Sequence, residues 1–358
     1  MTKKILFLIN GLGLGKSTRC SAIIERLILE KCEVSVITSG NGEWFFKNRN
    51  FIKNLYVIDE IKYGSKNNKL NIIETLKGLP KILQTVNKNS KTINKVINEI
   101  LPSVIVTDSV YLSNKISNKK IPIVAINNSD IVIQKFKSYS KKPKSIYLQL
   151  YCVEQLDCFY HKIIPDNVIS PDLIFEKSKS NLKKINRISP IVRGGIKKNL
   201  SKSPVRGGIM LSGSNFGIKV NLKKQYSNIS LDIIGREEPS GWQQKNNIKF
   251  LGKIKNNIDI LNSLDFCVVN GGYSAISELF WANIPMIVVP VPNHAEQWVN
   301  AKQIQDSGCG IIGNENNYED LIPKLINDYA TFKNNFLKYS TNENGAEEAA
   351  KIILNIGD

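Results

Sequence analysis

The sequence predicts an α/β chain folded as two doubly wound parallel sheets. Short, uninterrupted apolar runs, such as Ile5–Ile9, "SVIVTD" ending at Asp108 and "PMIVVPVP" late in the chain, read as strands buried on both faces. Stretches with helical spacing separate them, as in Ala22, Ile23, Leu27 and Ile28. This β-α-β alternation pauses at residues 194–208, which carry four glycines, Pro204 and three lysines, and restarts beyond them.

Taken in order, "MTKKILFLIN" is a first strand. Its apolar run is short, leads straight into a glycine loop and lacks a small-residue cleavage pattern, so it does not read as a signal peptide. Val34–Thr38 is the next strand. Residues 62–100 are Lys- and Asn-rich with periodic Ile and Leu, and read as one or two surface helices. "SVIVTD" and "IPIVAINNSD" are further strands ending at Asp108 and Asp130, and "DCFYHKIIP" and "ISPIVRGG" read as short late strands. The second sheet takes "GGIMLSGS", "SLDIIG", "IKFLG", "DFCVVNGG" and "PMIVVPVP". The division is an N-terminal domain at 1–195, a linker at 196–206, a second domain at 207–340 and a helix at 341–358 expected to pack back on the first domain. A chain of 358 residues suits two such domains.

Composition excludes several classes. The chain is 42% hydrophobic, too apolar for a disordered protein. No stretch approaches ~18 uninterrupted apolar residues, so a spanning helix is not expected. Residues 1–200 hold 34 basic and 15 acidic side chains, a net of +19, whereas residues 201–358 hold 15 and 16, a net of −1. The whole formal excess of +18 therefore sits in the first half, which points to an anionic partner on that side. Residues 134–150 interleave Lys135, Lys137, Lys141, Lys142 and Lys144 with Phe136, Tyr139 and Tyr147. They read either as a patch for a lipid surface or anionic acceptor, or as a solvated loop. Nucleic acid also suits basic and aromatic residues, but no nucleic-acid module signature accompanies them and it is not the expected partner. None of the six cysteines forms a C-x-x-C pair, so reduced, buried thiols in a cytoplasmic protein are expected and no metal site is.

The first loop, Asn10-Gly-Leu-Gly-Leu-Gly-Lys-Ser-Thr18, admits three readings. A phosphate-cradling P-loop before Gly15-Lys16-Ser17 needs glycine at position 10, where Asn10 stands. A dinucleotide fingerprint starting at Gly11 and Gly13 needs glycine at position 16, where Lys16 stands. A glycine loop opening a helix still offers backbone donors and the positive end of a helix dipole, through Gly13 and Gly15.

The second half carries the denser pattern. A buried strand ends at Gly271-Gly272, whose backbone can approach an anion closely. Ser274, Ser277 and Glu278 follow at the start of a helix, and a carboxylate there can accept from two vicinal ribose hydroxyls. After Pro290 and Pro292 come His294, Glu296, Gln297 and Asn300, hydrogen-bonding groups suited to sugar hydroxyls or to capping the helix. Trp281 and Trp298 read as packing residues.

Together, "GLGLGKSTR" and the segment from Val268 to Ile311 resemble GT-B glycosyltransferases of the MurG-like type, in family 28 style. That resemblance implies two Rossmann-like domains facing across a cleft, a UDP-sugar as co-substrate rather than a cofactor, and inverting transfer without a metal. It places Arg193 near the donor diphosphate, Ser212, Gly213, Ser214 and Asn215 in a second glycine–serine loop lining it, and Ile254 where backbone reads the base. The family's first-loop histidine is Lys16 here, a poor base near its free pKa but a good cation for an anionic acceptor or diphosphate. Asp108, then Asp130, are the expected general bases. The implied partners are a nucleotide sugar and a glycan or lipid-linked acceptor, with the protein cytoplasmic or peripheral on an anionic membrane face. A UDP-sugar hydrolase and a non-catalytic nucleotide-sugar-binding protein are the alternatives.

Overall fold

A computed structural model describes residues 2–61, 64–66, 69–70, 72–111, 121–174, 184–210, 228–242, 247–339 and 343–356, with 220, 222, 224 and 226. The chain forms two compact units. The first comprises Met1–Gln134, Tyr151–Ile191 and Glu343–Asp358; the second comprises Lys135–Leu150 and Val192–Asn342.

The first unit is built on a seven-stranded parallel sheet: β1 (Lys4–Ile9), β2 (Glu33–Thr38), β3 (Leu55–Val57), β4 (Val104–Asp108), β5 (Ile123–Ile126), β6 (Asn167–Pro171) and β7 (Ile185–Ile188). Their spatial order is β3-β2-β1-β4-β5-β6-β7. The order reverses between β1 and β4, so the loops after these strands diverge there and leave room for a ligand. Ile5, Phe7 and Ile9 of β1 face helix α1 (Leu14–Leu29) through Ile23, Ile24 and Leu27. Leu6 and Leu8 face the other way, onto Ile93, Val96 and Ile97 of a long helix, α2 (Leu79–Ile100). The last helix, Gly345–Ile356, packs Ala346, Ala349 and Ile353 into the same core as α1.

The second unit holds six parallel strands: β8 (Arg206–Met210), β9 (Ser230–Ile234), β10 (Ile248–Phe250), β11 (Phe266–Asn270), β12 (Met286–Val289) and β13 (Gly310–Ile312). They lie in the order β10-β9-β8-β11-β12-β13, which repeats the first unit's pattern and puts a second reversal between β8 and β11. No helix among the described residues is long and apolar enough to cross a membrane.

Several expectations change. "DCFYHKIIP" is a helix, Leu156–Ile163, and not a strand. Leu156, Phe159, Tyr160 and Ile163 recur at helical spacing, and that period decides the element. The strand in "IPIVAINNSD" stops at Ile126, because Asn127 Oδ1 accepts from the Ser129 amide at 2.9 Å and turns the chain into the helix Ser129–Ser138. Asp130 therefore sits in a first helical turn. In "ISPIVRGG" only Ile188 belongs to a strand.

The basic stretch also lies differently. Residues 135–150 group with the second unit, although the sequence division put them in the first domain. The Phe136 and Tyr139 rings meet Trp298 edge-on at 5.9 and 5.4 Å, and Phe136 meets Tyr147 at 5.4 Å. Its aromatics are thus spent on internal packing. The linker is strapped down rather than loose: Asn199 donates to the Leu264 carbonyl at 2.7 Å, and Lys333 donates to the carbonyls of Asn199 and Asn283 at 2.5 and 2.9 Å. Five of the six cysteines are buried and all are free; Cys152 is exposed.

Candidate functional site

In the first unit the chemistry collects at the ends of β1, β4 and β5. The β1–α1 loop is tied by an Asn10 side chain that accepts from the Leu12 amide at 2.9 Å and donates to the Ser109 carbonyl at 3.1 Å. A β-carbon on Gly11 would stand 1.5 Å from the Ser39 carbonyl oxygen, so only glycine lets these loops meet. Gly13, at the N-cap of α1, faces open space, Gly15 is exposed, and Lys16 is half-buried in the first turn. That turn contains no acid and no side-chain cap, so its amides and Lys16 offer a positive end.

Asp108 is 1% exposed and its carboxylate is saturated. Arg19 donates to both oxygens at 2.6 Å, the Cys20 thiol to Oδ2 at 3.4 Å, and the Ser109 hydroxyl to Oδ1 at 3.4 Å. A carboxylate has about four acceptor sites, and all are taken. This geometry opposes the expected role as general base and makes Asp108 the clamp that fixes Arg19 beneath the glycine loop. Asp130 is also engaged, accepting from Ser170 Oγ at 2.6 Å and Arg187 at 3.2 Å.

A cluster that sequence reasoning missed lies beside them. Asp157 accepts from the Tyr111 hydroxyl at 2.7 Å and from Asn127 Nδ2 at 2.5 Å, and stands 3.3 Å from Nδ1 of buried His161. Burial pushes the Asp157 carboxyl up, but the bonds from His161, Tyr111 and Asn127 outweigh it and hold the group below its usual range. An imidazole whose Nδ1 faces a carboxylate presents Nε2 as the basic nitrogen. Tyr111 also lines an open pocket with Asn10, Ser39, Asn89 and Ser109. Asp59 in that pocket is paired with Lys88 at 2.6 Å, so the lining is mostly amide, hydroxyl and aliphatic.

In the second unit the site gathers at the end of β11. Asn270 closes an otherwise apolar strand, is 4% exposed, and neither side-chain polar atom has a hydrogen-bond partner among the described residues. Its signal in the sequence was a lone amide ending "FCVVN". A buried amide left unpaired costs about 1–3 kcal/mol, so it marks a place where a ligand or water completes the network. Gly272 caps the helix Tyr273–Trp281 and faces open space, again with no acid and no side-chain cap in the first turn. A β-carbon on Gly271 would stand 2.5 Å from the Gln297 carbonyl, so glycine there lets the helix Ala295–Asp306 approach the loop.

Glu278 is gripped by Arg193, whose Nε and Nη2 donate to its two oxygens at 2.6 and 2.8 Å, while Nη2 also donates to Asn257 at 2.7 Å. Arg193 and Glu278 thus hold each other in a bidentate pair. Two of the expected sugar readers are structural: Asn300 Nδ2 donates to the Gly271 carbonyl at 3.0 Å, and Gln297 Oε1 accepts from the Val291 amide at 3.0 Å. Glu296 is half-buried and makes no hydrogen bond to a described residue, and His294 is the N-cap of its helix. Ser274 is buried in the first turn after Gly272. Neither the amide nor the carbonyl of Ile254 bonds to a described residue. Ser212, Gly213, Ser214 and Asn215 lie outside the described residues.

Two doubly wound units of this kind have the GT-B fold. The pattern of glycosyl transferase family 1 matches residues 3–330, and the chain belongs to that family. It is 23% identical over 338 residues to an uncharacterized glycosyltransferase of Methanosarcina acetivorans, covering 86% of this chain and 84% of that one. Over 111 residues it is 32% identical to the UDP-N-acetylglucosamine–N-acetylmuramyl-(pentapeptide) pyrophosphoryl-undecaprenol N-acetylglucosamine transferase of Thermosipho africanus, covering 30% and 33% of the two chains. The crystal structure of Acinetobacter baumannii MurG superposes with a TM-score of 0.58 over 99% of both chains at 14% identity, a likeness of fold.

If Asp108 is a clamp, Asp108→Asn leaves Arg19 buried and uncompensated. Such a change costs about 3 kcal/mol and lowers Tm by about 6–12 °C for a unit of this size. An unchanged melting curve with lost turnover would instead restore it as a base.

Proposed function

We propose that the protein transfers a glycosyl group from a UDP-sugar to an acceptor hydroxyl, with inversion and without a bound metal. The observation that carries the donor side is the end of β11: an unspent helix N-terminus beside an orphaned, buried Asn270. Helix amides and a fixed amide side chain stabilise the diphosphate as it leaves with the bonding electrons. The Thermosipho relative's name gives UDP-N-acetylglucosamine as donor, which supports uracil as the base. In this reading the ribose hydroxyls exchange with Arg193 on Glu278, and the guanidinium turns to the diphosphate.

On the acceptor side, the acceptor oxygen attacks the anomeric carbon and its proton passes to Nε2 of His161. Asp157 orients that imidazole, its carbonyl at 2.8 Å and its carboxylate at 3.3 Å from Nδ1. The amides and hydroxyls of that pocket suit a hydroxylated glycan, and Lys16 suits a phosphate on the same acceptor, as a lipid-linked sugar carries.

Thermal denaturation with a nucleotide panel tests the donor. UDP or a UDP-sugar at 100 times its Kd should stabilise the fold by about 2.7 kcal/mol, a rise of about 5–11 °C. A rise with guanosine or adenosine diphosphates and none with UDP would contradict the reading. Free sugar released without acceptor would mean hydrolysis. Once a donor is known, His161→Gln should cut turnover at least about 100-fold while keeping the UDP-induced rise; full turnover would place the base elsewhere.

A further inference from the structure

Asn257 stands at the N-cap of the helix Ile258–Ser263, yet its side chain does not cap it. An asparagine in that position ordinarily spends its side-chain oxygen on an amide of the first turn. Here Asn256 Oδ1 takes the Ile258 amide at 3.3 Å, and Asn257 Oδ1 instead accepts from Arg193 Nη2 at 2.7 Å. Asn257 Nδ2 donates to the Met210 sulfur at 3.5 Å, at the end of β8. Turned over, the amide would set its NH2 against the guanidinium, donor on donor, so these two neighbours fix which way it points. Arg193, Met210, Asn257 and Glu278 all belong to the second unit.

The guanidinium is therefore shared between unlike partners. Nη2 donates to Glu278 at 2.8 Å and to Asn257, while Nε holds the other Glu278 oxygen at 2.6 Å. Glu278 both holds the guanidinium and neutralises it, whereas a neutral amide holds it and leaves its charge intact. We propose that Asn257 is a positioning residue for the donor diphosphate. It retains the Arg193 guanidinium in the site, still charged, when ribose hydroxyls occupy Glu278. Without that anchor the arginine would regain rotamer freedom and hydration, and ordering it again would weaken binding. A carboxylate in place of the amide would hold the guanidinium as firmly but cancel the charge that a diphosphate needs. This role rests on the transferase reading, which supplies the diphosphate.

Calorimetric titration of the full chain with UDP and with uridine tests it, because only UDP carries the diphosphate. Asn257→Ala should lower the ratio of UDP to uridine affinity about tenfold, the weight of one hydrogen bond to a charged group. Should that variant fail to fold, Asn257→Ser keeps a good N-cap while drawing its oxygen back from Arg193, and should lower the ratio likewise. A residue that only supports its helix would weaken both ligands alike. An equal loss for the two, or a ratio unchanged from the wild type, would overturn the proposal. If the wild type binds guanosine or adenosine diphosphate in place of UDP, the donor reading is wrong, and the same ratio taken with that diphosphate and its nucleoside decides the role of Asn257. Binding of none of the three diphosphates would overturn both.

Discussion

A parallel strand buried on both faces can carry almost no polar side chain. That constraint organises this protein. β1 from Ile5, β4 up to Val106, and β5 and β11 up to their ends are apolar, and polar residues gather at or just past the C-terminal ends: Asn10, Thr107 and Asp108, Asn127 and Asn270. Each unit therefore concentrates its hydrogen-bonding chemistry at one edge. The strand order then reverses there, and the diverging loops keep the edge open.

Both edges use the same device, an arginine forked onto a buried carboxylate, with different consequences. Around Asp108 every acceptor site is occupied, so the pair is a fixed strut. Around Glu278 the fork is the carboxylate's described partner, and the same arginine also leans on Asn257. A pair of that kind stays charged and aligned, and a ligand offering hydroxyls to one member and phosphate to the other replaces both halves at once. The difference between the two forks lies in what surrounds the carboxylate.

Much of this was legible in the sequence. Doubly wound sheets announce themselves through short apolar runs, and the segment from Val268 to Ile311 placed Gly271, Gly272 and Glu278 at a strand end and helix start, where they lie. What was not legible depended on three-dimensional partners. No spacing in the sequence says that Arg19 would fill Asp108, or that Asn300 would bind a neighbouring carbonyl. The helix Leu156–Ile163 read as a strand because its apolar run is short, and its rotation, which buries Cys158 and His161, is fixed by Tyr111 and Asn127, far away in the chain. The aromatics of 135–147 matched a surface patch until Trp298 supplied their partner.

The central claim is that the end of β11 is left unsatisfied for a nucleotide to complete. Asn270→Val tests it most directly, with melting and UDP titration on the same preparation. Removing the orphaned amide should stabilise the fold by about 1 kcal/mol and weaken UDP binding by at least about tenfold. A less stable variant that binds UDP as tightly as the wild type would contradict the account.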